Sequence, residues 1–125
     1  MTFDDSDLTL LQRPAFASLA LQLQDGSLQN SIMWYRVEQG TIRMIAPAAS
    51  AKVRALQRST WVAIAIQDPD NAYDYLEVRG HAEVVTDDAA ARTELREIAA
   101  RYIGERADGY VAALSDASRV MIVVH

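Results

Sequence analysis

Apolar and polar residues alternate along most of the first 85 positions, and the alternation breaks into discrete runs. Phe16 to Gln24 reads Phe-Ala-Ser-Leu-Ala-Leu-Gln-Leu-Gln and is followed by Asp25-Gly26, a strong short-range hairpin signal. Leu28 to Val37 resumes as a strand, and Glu38-Gln39-Gly40 turns the chain into Thr41–Ala46. Trp61 to Ile66 is apolar and β-branched, and Tyr73 to Val85 is long and strand-like, with Gly80 read as a bulge or bend. Arg119 to Val124 closes the chain as a final strand.

The period changes in three places. Ser6 is placed to cap a short helix through Leu8, Leu10 and Leu11, stopped by Pro14. Ser50 to Arg58 forms a second short helix between two strands. From Asp88 to Tyr102, Ala90, Leu95, Ile98, Ala99 and Tyr102 recur at helical spacing, with Asp87 or Asp88 as N-cap and Gly104 as terminator. Tyr110 to Leu114 adds a helical turn. Six strands joined first by tight hairpins imply an antiparallel sheet that curls to protect its edges. The expected fold is mainly β (α+β), a six-stranded antiparallel split β-barrel with peripheral helices. No linker, repeat or low-complexity segment interrupts residues 1–125, so one domain is expected.

Composition removes several functions. Half of the residues are hydrophobic, yet no apolar run approaches the ~20 residues of a membrane span, and no signal-peptide pattern opens the sequence. Cysteine is absent, which rules out disulfides and a thiolate nucleophile and fits a cytoplasmic protein. The net charge of −5 argues against nucleic acid. The cations nevertheless cluster, with Arg43, Lys52, Arg54 and Arg58 close together, which suits a small anion.

Catalytic constellations are missing. His81 and His125 are not spaced for metal ligation, so no metal site is expected. The pairs Asp4-Asp5 and Asp87-Asp88 stand at helix starts, where capping explains them. No Walker or dinucleotide glycine pattern is present. One place has a specific chemical reading: the helix beginning at Ser50, with a hydroxyl and an ammonium in its first turn. Free N–H groups and a partial positive charge at such a start suit phosphate. On the residues alone, Lys52, Arg54 and Arg58 read more readily as a solvated face than as a phosphate site. Arg79 is expected to pair with Glu77 or another acid, and His81 is given no role.

Several landmarks together carry a resemblance: Leu23-Gln24-Asp25-Gly26-Ser27-Leu28-Gln29 with Trp34-Tyr35, then Ser50-Ala51-Lys52-Val53-Arg54-Ala55-Leu56, Asp68-Pro69-Asp70-Asn71, and Tyr75-Leu76-Glu77-Val78-Arg79-Gly80. In that order the chain resembles the flavin/deazaflavin oxidoreductase superfamily, the split β-barrel relatives of pyridoxamine 5'-phosphate oxidase, and most of all its small actinobacterial members that use coenzyme F420. The resemblance implies a homodimer with cofactor at the subunit interface. Ser50 and Lys52 would hold the cofactor phosphate, Asn30, Ser31, Ile32 and Met33 would lie along the ring system, and Ile45 and Ala46 would flank it. Partner residues around Tyr73 and Tyr75 would complete the pocket. Ala49 and Ala51 stand where relatives often carry a cation, with Arg54 and Arg58 nearby and Arg54 turned away from Lys52. The implied function is an F420-dependent reductase transferring a hydride to a small conjugated or carbonyl-containing substrate. The alternatives are an FMN-binding oxidoreductase of the same fold and a non-enzymatic cofactor-binding dimer.

Overall fold

The computed structural model describes residues 1–125. Its strands are β1 (Ala17–Gln22), β2 (Leu28–Met33), β3 (Arg36–Glu38), β4 (Thr41–Pro47), β5 (Trp61–Asp68), β6 (Asn71–Val85) and β7 (Arg119–Val124). Its helices are α1 (Asp5–Leu11), α2 (Ala51–Leu56), α3 (Asp88–Ile103) and α4 (Ala107–Ala112), with a 3-10 turn at Gly104–Arg106. The strands form one antiparallel sheet in the order β2-β1-β5-β6-β7-β4-β3.

There are seven strands where six were expected, because Leu28–Val37 is broken at Trp34-Tyr35. Before the break β2 pairs with β1, Met33 opposite Ala17; after it β3 pairs with β4, Arg36 opposite Arg43. The two edge strands of the sheet are thus consecutive in sequence. Two residues join opposite edges, so the sheet must curl until those edges meet, which makes it a split barrel. Leu19, Ile42, Met44, Ile64, Ile66, Ile122 and Val124 fill the inside and are almost wholly buried. Leu10 and Leu11 of α1 and Val53, Ala55 and Leu56 of α2 join the same core.

Other boundaries shift for local reasons. Helix α1 starts two residues early: Asp4, not Ser6, caps it, because Asp4 accepts from the Asp7 N–H at 2.8 Å while Asp7 accepts from the Asp4 N–H at 3.2 Å. Asp87 caps α3 and Gly104 ends it at φ 57°. The last helix, α4, begins at Ala107, earlier than Tyr110. Gly80 is not at a bulge; the only irregularity between β5 and β6 falls at Gln67/Asp68. A Cβ on Gly80 would stand 2.2 Å from the His125 carbonyl oxygen, so glycine is required by the close approach of the last strand.

The two outer halves of the barrel differ. Helix α3 covers β4 and β7 with Ala91, Leu95, Ile98 and Ala99, so β7 is buried on both faces and reads as an unbroken apolar run. Glu94, also buried, joins Arg36 at 2.8 Å and Arg43 at 3.6 Å and bridges two arginines that the β3–β4 register sets opposite each other, with Glu38 on Arg36 at 2.7 Å supplying the second negative charge. No helix covers the outer face of β2, β1, β5 and β6. Leu28, Ile32, Trp61 and Tyr75 stand there 82%, 70%, 61% and 65% exposed.

A polar knot holds the crossover. Arg101 donates to the carbonyls of Leu11 (2.9 Å), Arg13 (2.7 Å) and Tyr35, with its guanidinium 4.7 Å from the centre of the Tyr35 ring. The fully buried Tyr35 hydroxyl donates to Leu11 and Arg13 carbonyls at 3.1 and 3.3 Å. Tyr102 donates to the Ala15 carbonyl at 2.7 Å, accepts from the Tyr35 N–H at 3.2 Å, and stacks on Trp34 at 4.9 Å. Burial raises the pKa of both tyrosines above the ordinary 10.0, with Arg101 partly opposing it.

Arg101→Met leaves three carbonyls without their charged donor, whereas Tyr35→Phe leaves Arg101 in place to serve the two it vacates. Urea unfolding should show a loss of about 3 kcal/mol or more for the first and about 1 kcal/mol for the second; equal losses would refute the ranking. The raised tyrosine pKa values fix a sign as well. Their contribution is complete below the ordinary value of 10.0 and is lost as pH rises toward the folded-state values. Thermal melts should therefore fall steeply above pH 10, and Tyr35→Phe should make that fall shallower.

Candidate functional site

The chemistry-bearing segment follows β4. After Pro47 the Ala48 N–H donates to the Ser118 carbonyl at 2.9 Å, which pins the loop to the entry of β7. Ser50 is extended (φ −69°, ψ 154°) and is the N-cap of α2, yet its hydroxyl caps nothing. The Ser50 Oγ is buried and has no hydrogen-bond partner. Lys52, half-buried in the first turn, makes no hydrogen bond or ion pair.

The neighbouring arginines are tethered to backbone. Arg54 donates to the Ala49 carbonyl and Arg58 to the Gln24 carbonyl at 2.9 Å, tying the helix to its own entry loop and to the β1–β2 hairpin. Arg54 points to solvent while Lys52 is half-buried, as helical spacing requires. No carboxylate pairs with any of these three cations, although six other arginines in the chain form ion pairs. On a chain of net charge −5 this leaves a local positive field at the start of α2.

The other expected site residues are spread over two strands and two faces. Asn30 and Ile32 face outward on β2 and are exposed, while Ser31 and Met33 face the barrel and are half-buried. Asn30 Oδ1 accepts from the Ser18 hydroxyl at 2.5 Å. Because β2 is an edge strand, one side of its backbone has no strand partner. Ile45 is half-buried on the outer face of β4, and Ala46 lies in the core with its backbone laddered to Val120. Of four hollows in the chain, none is lined by residues of both β2 and α2. The largest, about 540 Å³, lies on the bare face and is lined by Ile32, Phe16, Ser18, Ala65, Gln67 and Tyr75, among others.

Of that lining, Ile32 and Tyr75 are read in the sequence as pocket residues, whereas Phe16, Ser18, Ala65 and Gln67 are not. A signal was present: Trp61, Ala63 and Ala65 put apolar residues on the second face of β5, where a solvent face would carry polar ones.

A curled antiparallel sheet with consecutive strands at its two edges, plugged by a short helix, defines a split β-barrel. The chain belongs to the pyridoxamine 5'-phosphate oxidase family, whose model matches residues 3–125. It is similar to a solved F420 reductase at 32% identity, covering 94% of this chain and 90% of that one, with a TM-score of 0.75. A conserved hypothetical protein of Mycobacterium tuberculosis is 23% identical over 100% of this chain and 81% of its own, with a TM-score of 0.80. An FMN-binding protein of Nostoc punctiforme, related to pyridoxamine 5'-phosphate oxidase, is 17% identical over 100% and 82%, with a TM-score of 0.72. These last two show the fold alone. No curated protein matches the sequence. No helix is long and apolar enough to cross a membrane.

Ser50 gives a test of the site that needs no ligand. Replacing a working N-cap serine by alanine costs about 1 kcal/mol, but here the hydroxyl caps nothing and is buried without a partner. Ser50→Ala should leave the urea midpoint unchanged or raised. A loss of about 1 kcal/mol would mean that the hydroxyl serves the free protein as a cap.

Proposed function

We propose that this chain is an F420-dependent oxidoreductase that acts as a homodimer and passes a hydride to a small conjugated or carbonyl-containing substrate. The observation that carries the reading is the start of α2, where the partnerless Ser50 hydroxyl stands beside the unpaired Lys52. Both groups fit a phosphate: a hydroxyl without a bond to lose and an ammonium without a competing carboxylate. The 32% identity to an F420 reductase, against 17% to an FMN-binding relative, favours the deazaflavin over FMN.

In this reading Ser50 and Lys52 hold the phosphate end. The unpaired backbone edge of β2 at Asn30, Ser31, Ile32 and Met33 offers hydrogen bonds to a flat heterocycle, and Ile45 flanks it. Ala46 contributes small size and a fixed strand end rather than a contact of its own. When bound, the reduced deazaflavin supplies the hydride. The bare face of β2, β1, β5 and β6 is the surface for the second copy, whose Tyr73 and Tyr75 complete the pocket. Tyr75 is also the candidate proton source: its hydroxyl is unbonded and its side chain lines the hollow beside Ile32, whereas Tyr35 and Tyr102 commit their protons to carbonyls. We read residues 1–125 as one such domain, working in the cytoplasm.

Titration of the purified protein with F420 and FMN, followed by absorption and fluorescence, tests this. F420 should bind more tightly than FMN, and Lys52→Ala should weaken it about tenfold or more, the worth of one charge-assisted contact. Tighter FMN binding would make the chain an FMN-dependent relative. If neither binds below millimolar concentration, no cofactor-dependent reading survives. Sedimentation should show a dimer, and a folded monomer would remove the inter-subunit pocket.

A further inference from the structure

The tip of the β5–β6 hairpin departs from the ladder in one place. Gln67 of β5 pairs with Tyr75 of β6, and Asp68 with Asn71, so Ala72, Tyr73 and Asp74 have no residue opposite them. These three bulge outward with Tyr73 at their centre, 95% exposed. Residues in such a bulge have lost their ladder bonds, and a phenol standing in water gains nothing by keeping one position. The segment is loose unless side chains tie it down.

Side chains do tie it. Gln67 Nε2 donates to the Ala72 carbonyl at 3.1 Å, the Tyr73 N–H donates to Asn71 Oδ1 at 3.2 Å, and the Asp70 N–H donates to Asp68 Oδ1 at 2.8 Å. Arg13 joins this set to the rest of the molecule. Its Nη1 donates to Asp68 Oδ1 at 2.7 Å and its Nη2 to Asp70 Oδ2 at 2.6 Å, so one planar guanidinium spans both carboxylates of the turn. The backbone of Arg13 is itself fixed, because its carbonyl accepts from Arg101 and from the Tyr35 hydroxyl. The arm is thus braced against the crossover knot. Its ion pairs are open to water, with the Arg13 side chain 36% and that of Asp70 79% exposed, so they add little to the stability of the fold. What they fix is the conformation of the turn that carries Tyr73.

We propose that Arg13 is the positioning residue of this arm, holding the Tyr73 bulge of one copy in the shape that docks on the second copy. The bulge continues the bare face of β6, where Tyr75 is 65% exposed, so the arm and the proposed subunit contact form one surface. The inference rests on the homodimer reading above and adds to it the group that aims the tyrosines. By twofold symmetry each copy gives one arm and receives one, so a loss of preorganisation counts twice in the dimer constant.

Sedimentation equilibrium on cofactor-free protein tests this through a double-mutant cycle of Arg13→Met and Tyr73→Ala. Each single variant should raise the dimer dissociation constant about fivefold or more. The double variant should be no weaker than Tyr73→Ala alone, because an arm without its tyrosine has nothing left to aim. Arg13→Lys, which keeps one charged contact, should recover part of the loss, and Arg106→Gln, in the exposed 3-10 turn, should change nothing. Asp70→Asn removes one ion pair at an exposed position and should also weaken the dimer, which keeps the test sound if Arg13→Met fails to fold. Additive losses in the cycle, or an Arg13→Met dimer as tight as the parent's, would overturn the proposal. A parent that stays monomeric would overturn the arm together with the homodimer on which it rests. Because no cofactor is present, a dimer that binds neither F420 nor FMN would sink the functional reading and leave the arm standing.

Discussion

Arg101 and the two tyrosines beside it make the barrel possible. The chain must pass from one edge of the sheet to the other within Trp34-Tyr35, and such a passage leaves backbone groups that no strand can pair. Arg101 supplies the carbonyl of Tyr35, and the Tyr102 hydroxyl receives its N–H. The same guanidinium also binds Leu11 and Arg13, and the Tyr35 hydroxyl reaches both. The N-terminal segment, the crossover and the end of α3 are thus joined through three side chains. Burial of a guanidinium is costly unless its donors are filled. Here carbonyls and two aromatic faces fill and shield them, so the cation closes the barrel without a counter-ion.

The closure leaves an asymmetry that governs the rest of the molecule. Helix α3 starts from Asp87 and ends at Gly104, and over that length it can shield only the β4–β7 side. Its inward Glu94 would be an unpaired buried charge anywhere else; over Arg36 and Arg43 it resolves a like-charge pair set by strand register. The opposite side retains its apolar residues in the open, including Leu28, Ile32, Trp61 and Tyr75. Monomeric proteins rarely leave such faces bare. In this chain the proposed subunit contact and the strand proposed to lie along the cofactor ring both draw on that one surface.

Much of this was legible in the sequence because local rules decided it. Asp25-Gly26 and Gln39-Gly40 fix their turns through positive φ at Gly26, Gln39 and Gly40, and α3 shows its period and both caps. The crossover was not legible, since Trp34-Tyr35-Arg36-Val37 continues the preceding alternation and only distant partners, Arg101 and Tyr102, reveal the break. Gly80 carried a correct signal with the wrong cause: the constraint is a carbonyl 45 residues away, which no local pattern encodes. The Ser50–Lys52 start was read from local chemistry alone, and its role as a phosphate site is part of the proposed function. Its tethered neighbours could not be read so, because the Gln24 carbonyl reached by Arg58 lies across the fold.

The start of α2 is energetically odd in the free chain, and the oddity is informative. A six-residue helix has little stability of its own, so Val53, Ala55 and Leu56 hold it by packing. That packing holds Ser50 with its hydroxyl buried and unsatisfied, and it holds Lys52 with no carboxylate in ion-pair distance. The unsatisfied hydroxyl costs free energy in the unliganded protein, and on the proposed reading a phosphate oxygen would relieve it. The core therefore maintains an electrostatic imbalance that local relaxation would otherwise remove. The tethers from Arg54 and Arg58 to backbone hold the helix in that place, so on the proposed reading a cofactor phosphate, rather than rearrangement of the helix, would satisfy the hydroxyl.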